Sequence, residues 1–299
     1  MADHGMPILF AMFVWWFSTG VVIYLDGLPA RTFKWSMLAA SLLAAVALFV
    51  MISTAEQATR SGAYIAFACG LMIWGWHEMS FLMGYLTGPR KTACAAGCSG
   101  FTHFIHGIET LLWHELAIIG TAILMWALTW DKPNQVAFWT FAILMGMRQS
   151  AKLNVFLGVR NLNADFLPPH LEYLKGFLKT KPMNLLFPVS VTVSTIITAV
   201  LVGRAAGSAA GSFDAAAYTF LSILMALAVL EHWFLVLPLP AEKLWTWGLA
   251  SRTKDQPDGP PADAPIALRL LQDGLIPPAD DRPAGPTMLR RPASAVAGK

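Results

Sequence analysis

Five ionisable side chains lie within one apolar stretch, residues 101–130, that is long enough to cross a membrane: His103, His106, Glu109, His114 and Glu115. Placing such a side chain at the centre of a bilayer costs at least ~2.5 to 3.5 kcal/mol on insertion scales. At 100° per residue, the three imidazoles fall within about 80° of one another on a helix, and Glu109 lies about 60° from His106. Such a face can bind a metal, ligate a tetrapyrrole, relay protons or form a structural ion-pair network.

Further polar residues occur in three other long apolar stretches, and they supply partners for this face. With a rise of 1.5 Å per residue, the charged ones lie roughly 8 to 20 Å from the same predicted membrane boundary. Glu115 lies on another face of its helix and is expected to pair elsewhere. The sequence therefore predicts one intramembrane polar pocket that opens toward the cytoplasm, formed by His77, Glu78, His106, Glu109, His114, Glu115, Arg148, Lys152, Asn154, Glu231 and His232.

Counting charges within this pocket gives four carboxylates against two cations, Arg148 and Lys152. A low-dielectric site resolves an excess of two negative charges by protonating carboxylates, by charging histidines or by holding a cation. The mixed donor set suits iron, zinc or manganese, with candidate ligands His77, Glu78, His106, Glu109, Glu231 and His232. The Glu-x-x-His pattern of four-helix di-iron proteins is present only in reverse, as His106-x-x-Glu109.

The same histidines also qualify as axial ligands of a tetrapyrrole. Among them, His103 and His106 are the better placed, because they face inward near the predicted boundary. A structural role, in which the histidines and charged residues only hold helices together, remains an equal alternative at this point.

Two cysteines, Cys94 and Cys98, lie in the short connection GPRKTACAAGCSG. With neither a second cysteine pair nor a histidine in that connection, the sequence does not predict a zinc site there. The chain also contains no P-loop, no dinucleotide-binding glycine pattern and no nucleophile elbow. The chemistry of soluble enzymes is therefore unsupported, and a non-enzymatic role is favoured.

The composition identifies the elements that must position these residues. Hydrophobic residues make up 56% of the chain and charged residues only 13%, and the mean hydropathy is +0.54. Such a chain is too apolar for a soluble domain and indicates an all-α, multi-pass transmembrane bundle. Stretches long enough to span ~30 Å of hydrocarbon predict about seven spans, near 7–25, 35–54, 62–86, 101–130, 135–158, 185–204 and 214–237.

Lysine and arginine are concentrated in alternate connections, at 26–34, 87–100 and 159–184. The positive-inside rule then places the N-terminus outside and the C-terminus in the cytoplasm. The net charge of +3 reflects this topology, so no nucleic-acid partner is expected.

The predicted transmembrane domain covers residues 1–250 and contacts lipid. Within it, an amphipathic segment near 168–181 is expected to lie on the inner membrane surface, and the glycine-rich run 203–211 reads as a flexible outer loop. Residues 251–299 are rich in Pro, Asp, Ala, Gly and Arg, which predicts a disordered cytoplasmic tail. A short helix at 265–275 is the alternative to a fully solvated tail.

Four unusual runs of sequence resemble the PuhE family, which is found in the photosynthesis gene clusters of phototrophic bacteria. They are WGWHEMSFLMGYLTGPR (74–90), HGIETLLWHELAI (106–118), RQSAKLNVFLGVRNLN (148–163) and LEHWFLVLPLP (230–240). The resemblance covers roughly residues 1–250. It implies an inner-membrane protein that assembles the reaction centre and light-harvesting complex, or modulates the supply of bacteriochlorophyll to it. It implies no catalytic residues.

The leading hypothesis is therefore an assembly factor that contacts reaction-centre or light-harvesting subunits and binds pigment through a histidine. A membrane oxidoreductase with a metal in the His and Glu layer is the alternative. A proton-coupled transporter ranks last, because the chain shows no convincing inverted repeat. Between bacteriochlorophyll and a transition metal, the sequence leaves the cofactor undetermined.

Overall fold

The structure is a computed structural model, and it describes residues 2–95, 97–162, 167–239 and 241–253. Every regular element in these ranges is helical, apart from an isolated β-bridge between Val159 and Thr180. The α-helices, in chain order, are α1 (Ala2–Asp26), α2 (Phe33–Ser53), α3 (Arg60–Leu82), α4 (Gly100–Leu128), α5 (Val136–Leu157), α6 (Leu186–Gly207), α7 (Phe213–Phe234) and α8 (Thr246–Thr253).

Six of these helices, α1, α2, α3, α4, α6 and α7, are long and apolar enough to cross a membrane. The prediction of an all-helical, multi-pass membrane protein is thereby confirmed. The remaining predicted span corresponds to α5. This helix is as long as α6 and α7, at 22 residues, but its composition is more polar. Whether α5 also crosses the membrane decides between six and seven spans, and seven stays a prediction.

The centre of the bundle is α3, which packs against α1, α2, α5 and α7. Its buried face joins a core in which the rings of Phe67 and Phe220 stack at 4.7 Å and Phe141 is fully buried. Close-packed aromatic rings of this kind hold a helix at a defined rotation. His77 and Glu78 lie in the last two turns of α3, so the rotation of the helix determines the direction in which these side chains point.

The longest helix, α4, has 29 residues and is therefore about 43 Å long, well beyond the ~30 Å of a hydrocarbon core. The connection after α3 lies against its middle. The backbone N–H of His114 donates to the carbonyl of Thr87 at 3.0 Å, and that of Arg90 donates to the carbonyl of Glu109 at 3.3 Å. The first turns of α4 therefore extend past the end of α3.

Some predicted boundaries differ from the observed ones. The third span ends at Leu82, four residues before its predicted end at 86. Helix α6 continues to Gly207, so half of the run predicted as a flexible loop is helical. A single glycine weakens a helix by only about 1 kcal/mol relative to alanine, so Gly203 does not end α6.

The segment predicted to lie on the membrane surface forms a 3-10 helix, Pro169–Phe177. Its apolar side chains Leu171, Leu174 and Phe177 are buried. Leu171 and Leu174 pack with Phe81 at the end of α3. The apolar face of this segment thus contacts the bundle, because the extended first turns of α4 offer it a protein surface.

All the helices described above belong to one compact unit. In it, α8 packs against α1, and just before α8 the indole N–H of Trp245 donates to the carbonyl of Trp16 at 3.0 Å. Residues 251–253, predicted as the start of the tail, therefore belong to α8. The rest of the predicted tail, with its alternative helix at 265–275, lies outside the described residues.

Candidate functional site

Helix α5 supplies the two cations of the charged layer, one to each neighbouring helix. Arg148 donates through Nη2 to Oε2 of Glu78 on α3 at 2.9 Å. Lys152 and Gln149 both donate to the carboxylate of Glu115 on α4. Lys152 is also within electrostatic range of Arg148 and Glu78. The two ion pairs therefore act on each other and form one network across α3, α4 and α5.

Glu231 on α7 borders this network, and no cation among the described residues forms an ion pair with it. Its Oε1 accepts from the indole N–H of Trp15 on α1 at 3.1 Å. Arg148 and Glu78 lie within electrostatic range of its carboxylate. Arg148 thus faces carboxylates from two helices, and the network of three glutamates and two cations keeps one surplus negative charge.

Glu109 is separate from this network, because a residue from the α3–α4 connection neutralises it. Nη1 of Arg90 lies 3.5 Å from Oε2 of Glu109. The expectation of two excess negative charges considered only cations within the spans, so it is too large by one. With Arg90 included, Glu231 alone remains in excess among the four glutamates.

His77 and His114 pack between α3 and α4, deep in the bundle. Nε2 of His77 lies 3.0 Å from the hydroxyl of Thr121, and the two imidazole rings are 6.4 Å apart. His114 is fully buried with its ring 4.7 Å from that of Phe81. Within the described part of the chain, neither ring nitrogen of His114 has a hydrogen-bond partner. The two histidine rings therefore pack as apolar groups and do not hydrogen-bond to each other.

His232 forms a third group with polar residues of α5. Its Nδ1 donates to the carbonyl of Ala228 at 2.9 Å, so Nε2 of the neutral ring can accept from the hydroxyl of Ser150, also at 2.9 Å. Asn154 donates to the carbonyl of Ser150 and to the hydroxyl of Ser190 on α6. These hydrogen bonds join α5, α6 and α7, and within the described residues Oδ1 of Asn154 is the one atom of the group without a partner.

The two candidate pigment ligands have different surroundings. The ring of His103, only 7% exposed, stacks between Phe156 and Phe177 at 5.5 and 5.3 Å. A macrocycle that ligated this imidazole would need open space beside the ring, and the two phenylalanines occupy it. His106 instead approaches two thiols.

Nδ1 of His106 lies 3.2 Å from Sγ of Cys94 and 3.4 Å from Sγ of Cys98, and the two sulfurs are 2.7 Å apart. All three side chains are half-buried. Partial desolvation and the adjacent Cys98 thiol raise the pKa of the Cys94 thiol above its ordinary value. The sequence did not predict this cluster, because the histidine comes from the second turn of α4 and not from the connection itself.

Within the described ranges, these are the only three or more His, Cys, Asp or Glu side chains whose ligand atoms lie within 4.8 Å of one another. The six residues predicted as metal ligands are therefore not brought together. Each has a local partner that competes with a shared ion, such as Arg148 for Glu78, Arg90 for Glu109 and Ser150 for His232. The signal for the observed cluster was present in the sequence as a cysteine pair followed by a histidine eight residues later.

A large apolar cavity lies apart from these groups, between α5, α6 and α7. Its volume is about 880 Å³, and its wall includes Met147, Ser194, Tyr218 and Leu221. None of the eleven residues of the predicted pocket lines it. Ser150, which does line it, connects its wall to His232.

Comparisons with known proteins place these observations in a wider context. A family model described as "Protein of unknown function (DUF3623)" matches residues 1–256, which include every helix described above. A protein of Rhodobacter capsulatus, named "Uncharacterized 30.4 kDa protein in puhA 5'region", is 41% identical over 257 residues. That similarity covers 84% of this chain and 93% of the relative. No solved structure matches the chain.

Proposed function

The chain belongs to the family described as "Protein of unknown function (DUF3623)", and from this premise we propose that it acts in bacterial photosynthesis. Its proposed role is that of an inner-membrane assembly factor for the reaction centre and light-harvesting complex. The observation that carries the proposal is the Rhodobacter capsulatus relative, whose name places it in the puhA 5' region and which is 41% identical to this chain. The resemblance of four runs to the PuhE family supports the same process.

The outer surface of the bundle supports a role among other membrane proteins. Helix α2 exposes Leu42 and Phe49, and α4 exposes Trp113, Ile119 and Ile123. In a membrane, such side chains contact lipid tails or the apolar faces of other spans. A protein with two such helices at its periphery can bind lipid and hydrophobic photosynthetic subunits by the same surfaces.

The partners of the charged residues favour a non-enzymatic role. Glu78 and Glu115 each have a cation within reach, and Glu109 pairs with Arg90. Carboxylates neutralised in this way stabilise the packing of helices and are poorly placed to bind a catalytic metal. The geometry thus supports the assembly factor over a membrane oxidoreductase with a metal in the His and Glu layer.

The proposal includes the supply of bacteriochlorophyll to the complex, but it does not include ligation of the pigment by a histidine of this chain. Axial ligation by His103 would require Phe156 and Phe177, which stack against its ring, to make room for the edge of a macrocycle. Ligation by His106 would compete with two adjacent thiols. The pigment or its carrier is more simply accommodated in an apolar space, such as the cavity between α5, α6 and α7.

Genetic complementation tests this function. The gene for the relative is deleted in Rhodobacter capsulatus, and the deletion strain receives either this chain or an empty vector. We expect the empty-vector strain to lose reaction-centre and antenna absorption from its membranes and the complemented strain to regain it. Normal absorption in the deletion strain, grown under the same light and oxygen, would refute the proposal.

Co-purification tests the proposed partners. An affinity-tagged form of the chain is isolated from the complemented strain in mild detergent, with an unrelated tagged multi-pass protein as the control. Reaction-centre or antenna subunits should be enriched with the tagged chain over that control. Equal recovery from both preparations would argue against direct contact.

A further inference from the structure

Cys94, Cys98 and His106 form a group of potential metal ligands that the proposed function does not use. It lies where the α3–α4 connection folds back over the first turns of α4. Those turns extend past the end of α3, so the cluster lies beyond the most apolar part of the bundle. Its members are half-buried and accessible to solutes.

The three potential ligand atoms are close enough to share one ion. A circle through Sγ of Cys94, Sγ of Cys98 and Nδ1 of His106 has a radius of about 1.8 Å, as follows from their separations of 2.7, 3.2 and 3.4 Å. Zinc binds sulfur at ~2.3 Å and imidazole nitrogen at ~2.0 to 2.1 Å. Tetrahedral Zn–S bonds separate two sulfurs by about 3.8 Å, so an ion above the plane of the triangle reaches all three atoms once the two thiols move apart by about 1 Å.

The chemistry of the donors selects the class of metal. Two thiolates and one imidazole form a soft to borderline set, which suits Zn²⁺ and disfavours Mg²⁺ or Ca²⁺. Because both thiols must be deprotonated to bind, each ion that enters replaces up to two protons.

Within the part of the chain that the structure describes, no fourth His, Cys, Asp or Glu side chain joins this group. Glu109, one helical turn after His106, is outside the group and lies 3.5 Å from Arg90. Zinc with three protein ligands keeps a position open to water or to an incoming ligand, whereas structural zinc sites are closed by four. The arrangement is therefore that of a site that exchanges ligands.

We propose that Cys94, Cys98 and His106 bind one Zn²⁺ ion, with the fourth coordination position open to water or to an exogenous donor. Such an ion would tie the α3–α4 connection to α4. On the outer side of that connection, Ala93 lies against the 3-10 helix Pro169–Phe177, where the nearest approach is to Gly176. The proposal stands independently of the photosynthetic role, since it depends only on this cluster.

Metal binding to the purified full-length protein in detergent is the test. After reduction of the thiols and removal of metal, the protein is loaded with Zn²⁺ or with Co²⁺ as a coloured substitute, and bound metal is measured by mass spectrometry. We expect one equivalent of Zn²⁺, a thiolate-to-Co²⁺ charge-transfer band, and loss of that band when Zn²⁺ is added. Cys94→Ser, Cys98→Ser and His106→Asn should each weaken Zn²⁺ binding at least about tenfold.

The third cysteine provides the matched control. Cys69 is buried in α3, away from the cluster, so Cys69→Ala should keep the full equivalent of Zn²⁺. Helical circular dichroism verifies that each variant is folded. If the serine variants do not fold, the test uses the wild-type protein with its accessible thiols alkylated. Alkylation before metal is added should abolish uptake of Zn²⁺.

Three outcomes would overturn the proposal. The first is binding of less than about a tenth of an equivalent by the reduced wild-type protein. The second is Zn²⁺ binding that persists unchanged in the doubly substituted Cys94→Ser, Cys98→Ser variant or after alkylation. The third is a Cys94–Cys98 disulfide in the protein as isolated that, once reduced, still takes up no metal.

Discussion

At the scale of single residues, Arg148 is the centre of the charged layer. It donates to Glu78 on α3 and lies within electrostatic range of Glu231 on α7. A charge in a partly desolvated site is tolerated when it is paired, and removal of one partner leaves the other uncompensated. The pairing of Arg148 with α3 is therefore expected to contribute to stability, even though its side chain stays partly accessible.

Replacement of Glu78 by Gln tests this contribution. A fully buried pair loses about 3 to 5 kcal/mol when one member is removed, and we expect about 1 to 3 kcal/mol here because 41% of the Arg148 side chain is exposed. The free energy of unfolding in mixed micelles is the measurement. As a control, Glu172→Gln breaks an exposed pair with Lys175 and should change stability by less than about 0.5 kcal/mol. Equal stability of the two variants would contradict this assignment.

At the scale of elements, the contact between the α3–α4 connection and α4 depends on one glycine. A Cβ atom at Gly88 would lie 1.9 Å from the carbonyl oxygen of Glu109. Backbone atoms cannot move aside as a flexible side chain can. The connection can therefore lie against α4, and exchange hydrogen bonds with it through Thr87 and Arg90, only if residue 88 lacks a side chain.

Gly88→Ala should accordingly separate the connection from α4, at a cost of about 1 to 3 kcal/mol in the free energy of unfolding. Gly120→Ala on the same helix is the control, since no atom lies within 4 Å of its added Cβ. Helix propensity makes that change neutral or stabilising by up to about 1 kcal/mol. Thermal unfolding and accumulation in membranes measure both variants. If Gly88→Ala were as stable as Gly120→Ala, the connection would not need its close approach.

At the scale of the whole molecule, α5 decides the topology. It packs among α3, α4, α6 and α7, and it carries the cations of the charged layer. Those cations lower its hydropathy, yet their pairing with glutamates on α3 and α4 removes much of the penalty for placing them in a membrane. The positive-inside rule and the position of α5 in the bundle both favour seven spans.

Labelling on either side of α5 tests this topology. In a variant without native cysteines, Lys132→Cys places a thiol before α5 and Lys175→Cys places one after it, both at exposed positions. A membrane-impermeant maleimide applied to intact spheroplasts should label residue 132, while residue 175 should react only after permeabilisation. Labelling of both from the same side would mean that α5 does not cross the membrane.

The order and approximate positions of the seven long helices followed from the sequence alone. A bilayer requires about 20 consecutive apolar residues in a span that satisfies its own backbone hydrogen bonds, so the spans are visible as runs. The observed bounds of α2, Phe33–Ser53, lie within two residues of the predicted 35–54. Residue types also indicated that the charged side chains would belong to helices near one end of the bundle.

Only the tertiary structure decided which partner each side chain has. Partners depend on the rotation of each helix and on the path of the connections, and neither is encoded in hydropathy. The α3–α4 connection, which folds back on α4 through Gly88, delivers Arg90 to Glu109 and two thiols to His106. The run of apolar residues therefore determined where the helices are, while close packing between elements far apart in the chain determined which polar atoms meet.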